Sequence, residues 1–275
     1  MKSIVWLASY PKSGNTWLRA FLGNYIFDRD EPIPINKLHR IGMGDASANA
    51  YQMVSKTPFD GDDPQQSAHL RHAVLQGIVN NKADVNLVKT HNENGMAFGV
   101  QLMPPKFTRA AVYIMRNPLD MIVSYASHYG LPMDKAIFTT SSNQNALKGG
   151  KENAYQFLGS WSNHVVGWTR EKKFPVLTIR YEDMKKDPHG TFDRVIKHVG
   201  LPDGKERLEK AIRFSDFKTL SKQETESGFI ENSRNQERFF RKGKTDQWKT
   251  ELTQEQVDQM IRYHGRVMKK FGYLE

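Results

Sequence analysis

The opening of this chain restricts what it can fold into more than any other feature. A continuous apolar run at residues 4–8 leads into Ser9-Tyr10-Pro11-Lys12-Ser13-Gly14-Asn15-Thr16, then Trp17, Leu18, Phe21, Leu22 and Tyr25 at helical spacing. An unbroken short run suits a strand buried on both faces, and the following period suits a helix packed along one side. Strand, tight loop and helix together make a place for an anion. The first helical turn leaves N–H groups unpaired and carries partial positive charge. Lys12 adds a full charge, Gly14 permits close backbone approach, and the Ser13 and Thr16 hydroxyls add hydrogen bonds. The pattern Gly-x4-Gly-Lys-Ser/Thr of nucleoside triphosphate loops is missing. The loop therefore reads as a phosphate binder of another kind, with an ordinary capped turn as the plain alternative.

Alternation of strands and helices continues downstream. Strands are predicted at residues 85–88, 110–115 and 176–179, the second apolar enough to be buried on both faces. Helices are predicted over 67–79, from Asn117-Pro118 onward, across Trp161, Val165 and Trp168, across Phe192, Val195, Ile196 and Val199, and over 253–271. The expected fold is α/β, with a central mainly parallel sheet flanked by helices and a P-loop-like start. At 275 residues, one domain spanning 1–275 is expected. Residues 28–66 and 130–150 are polar and weakly periodic, and predict irregular connections or mobile loops.

Composition narrows the chemistry. Cysteine is absent, which excludes disulfides, thiolate nucleophiles and cysteine-ligated metals. No His and carboxylate cluster suggests a metal site, so none is expected. No stretch approaches the roughly 18 apolar residues of a membrane span, and the first apolar run enters a motif directly, unlike a signal peptide. A cytoplasmic protein without a membrane partner is the expectation. The formal charge of +10 favours polyanionic partners, but the basic residues are scattered apart from a concentration over 234–249. A focused anion site fits this better than a nucleic-acid stripe.

Four further groupings carry chemistry. Arg116-Asn117-Pro118-Leu119-Asp120 follows the strand at 110–115, with Ser124 eight residues after Arg116. Arg grips phosphate through two parallel hydrogen bonds, and a hydroxyl on the next helix can join it; pairing of Arg116 with Asp120 is the plain alternative. Arg241-Lys242-Gly243 lies in the basic segment, where a solvated loop is the alternative. Tyr181-Glu182-Asp183-Met184 ends the last strand, and aromatics such as Trp17 and Tyr181, taken alone, are more often core than ligand contacts. Lys89-Thr90-His91 follows the strand at 85–88, and an imidazole there has a suitable pKa to remove a proton at neutral pH.

In this order and across most of the chain, these elements resemble the cytosolic sulfotransferase family. The loop Tyr-Pro-Lys-Ser-Gly-Asn-Thr-Trp resembles that family's 5′-phosphosulfate loop, usually written with Thr where Asn15 stands. The resemblance implies a metal-free enzyme that uses 3′-phosphoadenosine 5′-phosphosulfate (PAPS) and releases 3′,5′-adenosine bisphosphate (PAP). It implies that Lys12, Ser13, Gly14, Asn15 and Thr16 hold the sulfated end, that Trp17 stacks on the adenine, and that Arg116, Ser124, Arg241, Lys242 and Gly243 hold the 3′-phosphate. Tyr181, Ser215 and Phe217 would line the adenine, His91 would be the general base, and Lys12 and Lys89 would meet the developing charge. One departure stands out: the family commonly continues Gly-Asp-Trp-Lys, and this chain has Asp246-Gln247-Trp248-Lys249.

The acceptor would be a small molecule meeting residues 32–66, 130–150 and 224–238, and a natural product such as a glycopeptide or glycoside suits their modest aromatic content as well as a phenol. The family's C-terminal dimer motif is only partly matched by Lys249, Thr253, Gln254 and Asp258, which leaves monomer and homodimer both open. Two other readings stand beside this one. An ATP-dependent kinase of related fold would need magnesium and would give the Arg116 and Arg241 groupings no 3′-phosphate. A basic nucleic-acid-binding protein would show steeply salt-dependent affinity.

Overall fold

The computed structural model describes residues 2–274. Its centre is a five-stranded parallel sheet in the order β2 (Met43–Gly44), β3 (Val85–Thr90), β1 (Ser3–Ser9), β6 (Thr108–Met115) and β9 (Val176–Arg180). The remaining strands form two short antiparallel ladders: β4 (Met96–Ala97) with β5 (Val100–Gln101), and β7 (Ala146–Leu147) with β8 (Gln156–Phe157).

The unbroken apolar runs have a direct structural cause. Side chains alternate across a strand, so a sheet covered on both faces needs apolar residues at every position. On β1, Ile4, Trp6 and Ala8 enter one core while Val5 and Leu7 enter the other. On β6, Ala111, Tyr113 and Met115 share the first core, and Ala110, Val112 and Ile114 the second. Helices α1 (Asn15–Phe27) and α8 (Pro188–Val199) cover the second face. Helices α3 (Pro64–Val79), α4 (Pro118–Tyr129), α6 (Trp161–Thr169) and α12 (Gln254–Lys270) cover the first. Asn117 caps α4 with Pro118 in its first turn, as expected, and Thr253 and Gln256 form a capping box on α12.

Two predicted irregular stretches turn out to be partly helical. Within residues 28–66 lie a 3-10 helix, Ile35–Arg40, then β2, α2 (Ala48–Val54) and the start of α3. Tyr51 explains much of this order: it is buried in a small third core with Ala46, Val74 and Ala154, and stacks on Phe59. Within 130–150, α5 (Met133–Ser141) buries Ala136 and Ile137. Elements held by one or two apolar residues leave too little periodicity to be read from sequence. Between β9 and α12 the chain adds α7 (Tyr181–Lys186), α9 (Lys205–Phe214), α10 (Phe217–Ser227) and α11 (Trp248–Glu251), while residues 228–247 form a strap without helix or strand. Among the described residues, no helix is long and apolar enough to cross a membrane.

Candidate active site

Helices α1 and α4 follow adjacent strands, β1 and β6, but lie on opposite faces of the sheet. Their divergence opens a crevice at the carboxyl ends of the strands, where open α/β sheets bind ligands. Four sequence groupings begin at those ends. Tyr10 follows β1, His91 follows β3, Arg116 follows β6 and Tyr181 follows β9. They surround a cavity of about 490 Å³ lined by Lys12, Gly14, Asn15, Thr16, Trp17, Lys89, His91, Arg116, Ser124, Tyr181, Phe217, Arg241, Lys242 and Gly243.

The loop before α1 is shaped for close approach. Lys12 has φ 66° and Gly14 has φ 110°, and no side chain caps the helix, which leaves its first N–H groups unpaired by a cap. A Cβ on Gly14 would stand 2.8 Å from the Tyr181 ring. The Asn15 side chain is bound to protein groups rather than left free for a ligand. Its amide donates to Leu7 O (2.9 Å) and Ser9 Oγ (3.3 Å), and its oxygen accepts from Arg19 Nε at 3.2 Å, so it staples loop to strand. Ser13 Oγ, Trp17 Nε1 and Arg116 Nε are buried without a protein partner. Buried polar atoms are normally satisfied, so these fit a ligand that supplies acceptors.

Arg116 does not pair with Asp120. Its two terminal nitrogens donate to Lys12 O (3.1 Å) and Lys244 O (3.3 Å), and its guanidinium lies 4.4 Å from the Tyr181 ring centroid. The Asp120 carboxylate instead accepts from the backbone N–H groups of Asp246 (2.7 Å) and Trp248 (3.1 Å), clasping the basic segment onto α4. Asp246 itself has φ 61°. It adopts the left-handed conformation that glycine would take most readily, one that Asp tolerates better than most residues. Gly243, at φ 58°, packs so closely on Phe217 that a Cβ would come within 2.2 Å of that ring. Arg241 and Lys242 are exposed at the rim, and Lys242 pairs with Glu251.

Ser215 stands apart from the cavity, contrary to expectation. It is fully buried at the end of α9, and its hydroxyl donates to Ala211 O at 2.8 Å, satisfying the helix's own carbonyl. Trp17 and Tyr181 do meet, edge to face at 5.8 Å, on the wall that also carries Phe217.

At the opposite end, Nδ1 of His91 lies 2.8 Å from Ser9 O. A carbonyl only accepts, so Nδ1 carries the proton and Nε2 keeps its lone pair. Burial, then the charge of Lys89, pushes the His91 pKa well below its ordinary value. Lys89 is itself lowered by burial and by Arg19, despite Glu231, whose carboxylate lies 3.4 Å away. Glu231 also takes two hydrogen bonds from Arg19, at 2.6 and 2.8 Å. Burial pushes its carboxyl up, but the Arg19 hydrogen bonds and the Lys89 charge outweigh that and hold it at about 2. Lys12 is lowered to about 7 by burial, with Arg116 and Lys89 adding repulsion. Behind β3, the buried Asp45 carboxylate accepts from Arg71 (2.6 Å), Thr90 (2.6 Å) and Asn92 (3.2 Å), fixing the backbone on both sides of His91.

Sequence reasoning missed Glu231, His128 and Phe239, all of which line the cavity. Glu231 and Phe239 come from the strap, whose sequence carries no period, and His128 sits one turn beyond Ser124 on α4 with nothing local to mark it. Among the described residues, no group of three or more His, Cys, Asp or Glu side chains converges as a metal site.

A parallel sheet with an anion loop at its switch point defines the mononucleotide-binding class of α/β proteins. Within that class the chain belongs to the sulfotransferase domain family, which it matches over residues 2–272, and it is a sulfotransferase. Sulfotransferase 2B1 of Mus musculus is 32% identical over an alignment covering 98% of this chain and 73% of that protein. Flavonol 4′-sulfotransferase of Flaveria chlorifolia is 28% identical, covering 96% and 81% of the two chains. Among solved structures, retinol dehydratase in complex with retinol and PAP superposes with a TM-score of 0.66 at 18% identity, covering 98% and 82%; this is a likeness of fold. Membership of a sulfotransferase family disfavours the kinase and nucleic-acid-binding readings.

Proposed function

We propose that this chain moves the sulfuryl group of PAPS onto a hydroxyl or amine of a small-molecule acceptor, with His91 as the general base. One observation carries the proposal: the anion loop, Arg116 with Ser124, the Arg241 segment and His91 all line one cavity. Trp17 Nε1 and Arg116 Nε, both on lining residues, are buried without a protein partner, and Gly14 and Gly243 leave no room for a side chain, so the residues suit a bisphosphorylated adenosine.

The donor nucleotide supplies an electrophilic sulfur and a phosphate leaving group. The N–H groups at the start of α1, with Ser13 and Thr16, hold its sulfated end. Arg116, Ser124, Arg241 and Lys242 hold the ribose phosphate, and the walls formed by Trp17, Tyr181 and Phe217 flank the base. His91 takes the acceptor proton at Nε2, because Nδ1–H is committed to Ser9 O. Lys89, held by Glu231, supplies positive charge beside the transferring group, and Lys12 supplies it at the leaving oxygen. The acceptor would lie toward Ala46, Tyr129, Leu147, Asn153, Gln156 and Ile230, a mixture of apolar and amide surface.

The direct test replaces the base. His91→Ala is expected to lower the transfer rate by at least about 100-fold, within the usual worth of general acid–base catalysis. Thermal stabilisation by PAP should persist in that variant. Near-normal turnover would refute the role of His91.

A further inference from the structure

Lys12 has an unusual set of neighbours for a lysine in an anion loop. Among the described residues it makes no ion pair within 4.0 Å; instead its ammonium lies 3.3 Å from His128 Nδ1 and 3.8 Å from the Phe239 ring centroid. The same Nδ1 lies 3.1 Å from Gln236 Nε2, another donor. Two donors converging on one nitrogen fix its state: Nδ1 is unprotonated, and the proton is on Nε2. The ring is further held edge-on by Tyr129 (4.8 Å) and Phe239 (6.0 Å). Gln236 is anchored in turn by donating to Asn232 Oδ1 at 2.7 Å. The imidazole is therefore a built acceptor, oriented from α4 and from the strap.

We propose that His128 is the positioning residue of Lys12: its Nδ1 holds the lysine ammonium at the mouth of the anion loop and favours its charged form there. The need for such a partner follows from the surroundings. Arg116 at the end of β6 and Lys89 on β3 repel a charged Lys12, while Glu224 on α10 and Glu231 on the strap attract it more weakly. A neutral acceptor opposes the loss of the lysine proton without occupying the loop as a carboxylate would. His128 can fill that part because burial, then Lys12 and Lys89, holds its own pKa at about 4, so it does not charge near neutrality.

The inference rests on the role given to Lys12 above, but its test does not need nucleotide. The Lys12 side-chain Cε resonance is followed against pH by NMR in the chain without ligand, assigned by its disappearance in Lys12→Met. The wild-type midpoint is expected at about 7. In His128→Phe, which keeps a ring but removes the acceptor, the midpoint should fall by roughly one unit, the worth of a hydrogen bond to a charged group. His128→Asn, which can present an amide oxygen near the Nδ1 position, should restore at least half of that fall. Should His128→Phe fail to fold, His128→Ala serves in its place. An unchanged midpoint in the Phe or Ala variant overturns the proposal. As a second readout, PAP affinity in His128→Phe should be about tenfold weaker at pH 8 and within about twofold of wild type at pH 6, since above its midpoint the lysine must take up a proton to bind. If PAP fails to bind even the wild type, the nucleotide reading falls while the titration still decides the part played by His128.

Discussion

Protonation in this site follows from burial and from neighbouring charge, and His91 shows the consequence most plainly. Its charged form is disfavoured first by burial and then by Lys89, so the imidazole remains neutral well below its ordinary pKa. A base with a lowered pKa is ready at every pH above that value and lost only beneath it. The acid limb of kcat/KM due to His91 is therefore expected to lie below pH 6.5 in a rate profile, and to vanish from the residual rate of His91→Ala. An acid limb centred at or above 6.5 that is absent from the variant would contradict this. Residue types were legible from sequence here, but their partners were not. Asn15 turns to β1, and Ser215 satisfies its own helix. Arg116 leaves Asp120 to the backbone of the basic segment. The Arg116 and Asp120 case is decided by contacts between residues far apart in the chain, and the other two by which of several nearby groups the side chain turns to; spacing encodes neither.

At the scale of elements, β1, β3, β6 and β9 were readable from apolar segments, most plainly in β1 and β6, where burial on both faces demands unbroken runs, whereas the two-residue strands, β2 included, were not. The ordered parts of residues 28–66 and 130–150 were not, since α2 and α5 are pinned by Tyr51 and by Ala136 with Ile137 rather than by a long apolar stripe. The strap and the basic segment depend still more on other elements. Asp120 clasps Asp246 and Trp248, Glu224 accepts from the N–H groups of Phe239 (2.6 Å) and Phe240 (2.9 Å), and Gly243 rests on Phe217. Gly243→Ala combines a left-handed φ of 58° with an overlap against Phe217. It should displace the Arg241 segment and weaken PAP binding by about tenfold or more, a loss of some 1.4 kcal/mol. Global stability should change little, because the segment carries no helix or strand. Unaltered PAP affinity in a calorimetric titration would show that Arg241 and Lys242 do not bind the nucleotide.

For the molecule as a whole, the order of the strands determines what the site can hold. Placing β1 between β3 and β6 brings the anion loop, His91 and Arg116 to three neighbouring strand ends, and β9 adds Tyr181 beside them. The Lys12 loop before α1 and the Arg116 and Arg241 groupings then face one cavity rather than separate surfaces. That separation within one cavity is the central claim, and the ribose phosphate of the ligand is what it should detect. Calorimetric titration with PAP and with 5′-AMP, at one pH and salt concentration, measures it. Two or more charge-assisted hydrogen bonds predict PAP binding at least about 100-fold tighter than AMP. Equal affinities for the two nucleotides would contradict the account.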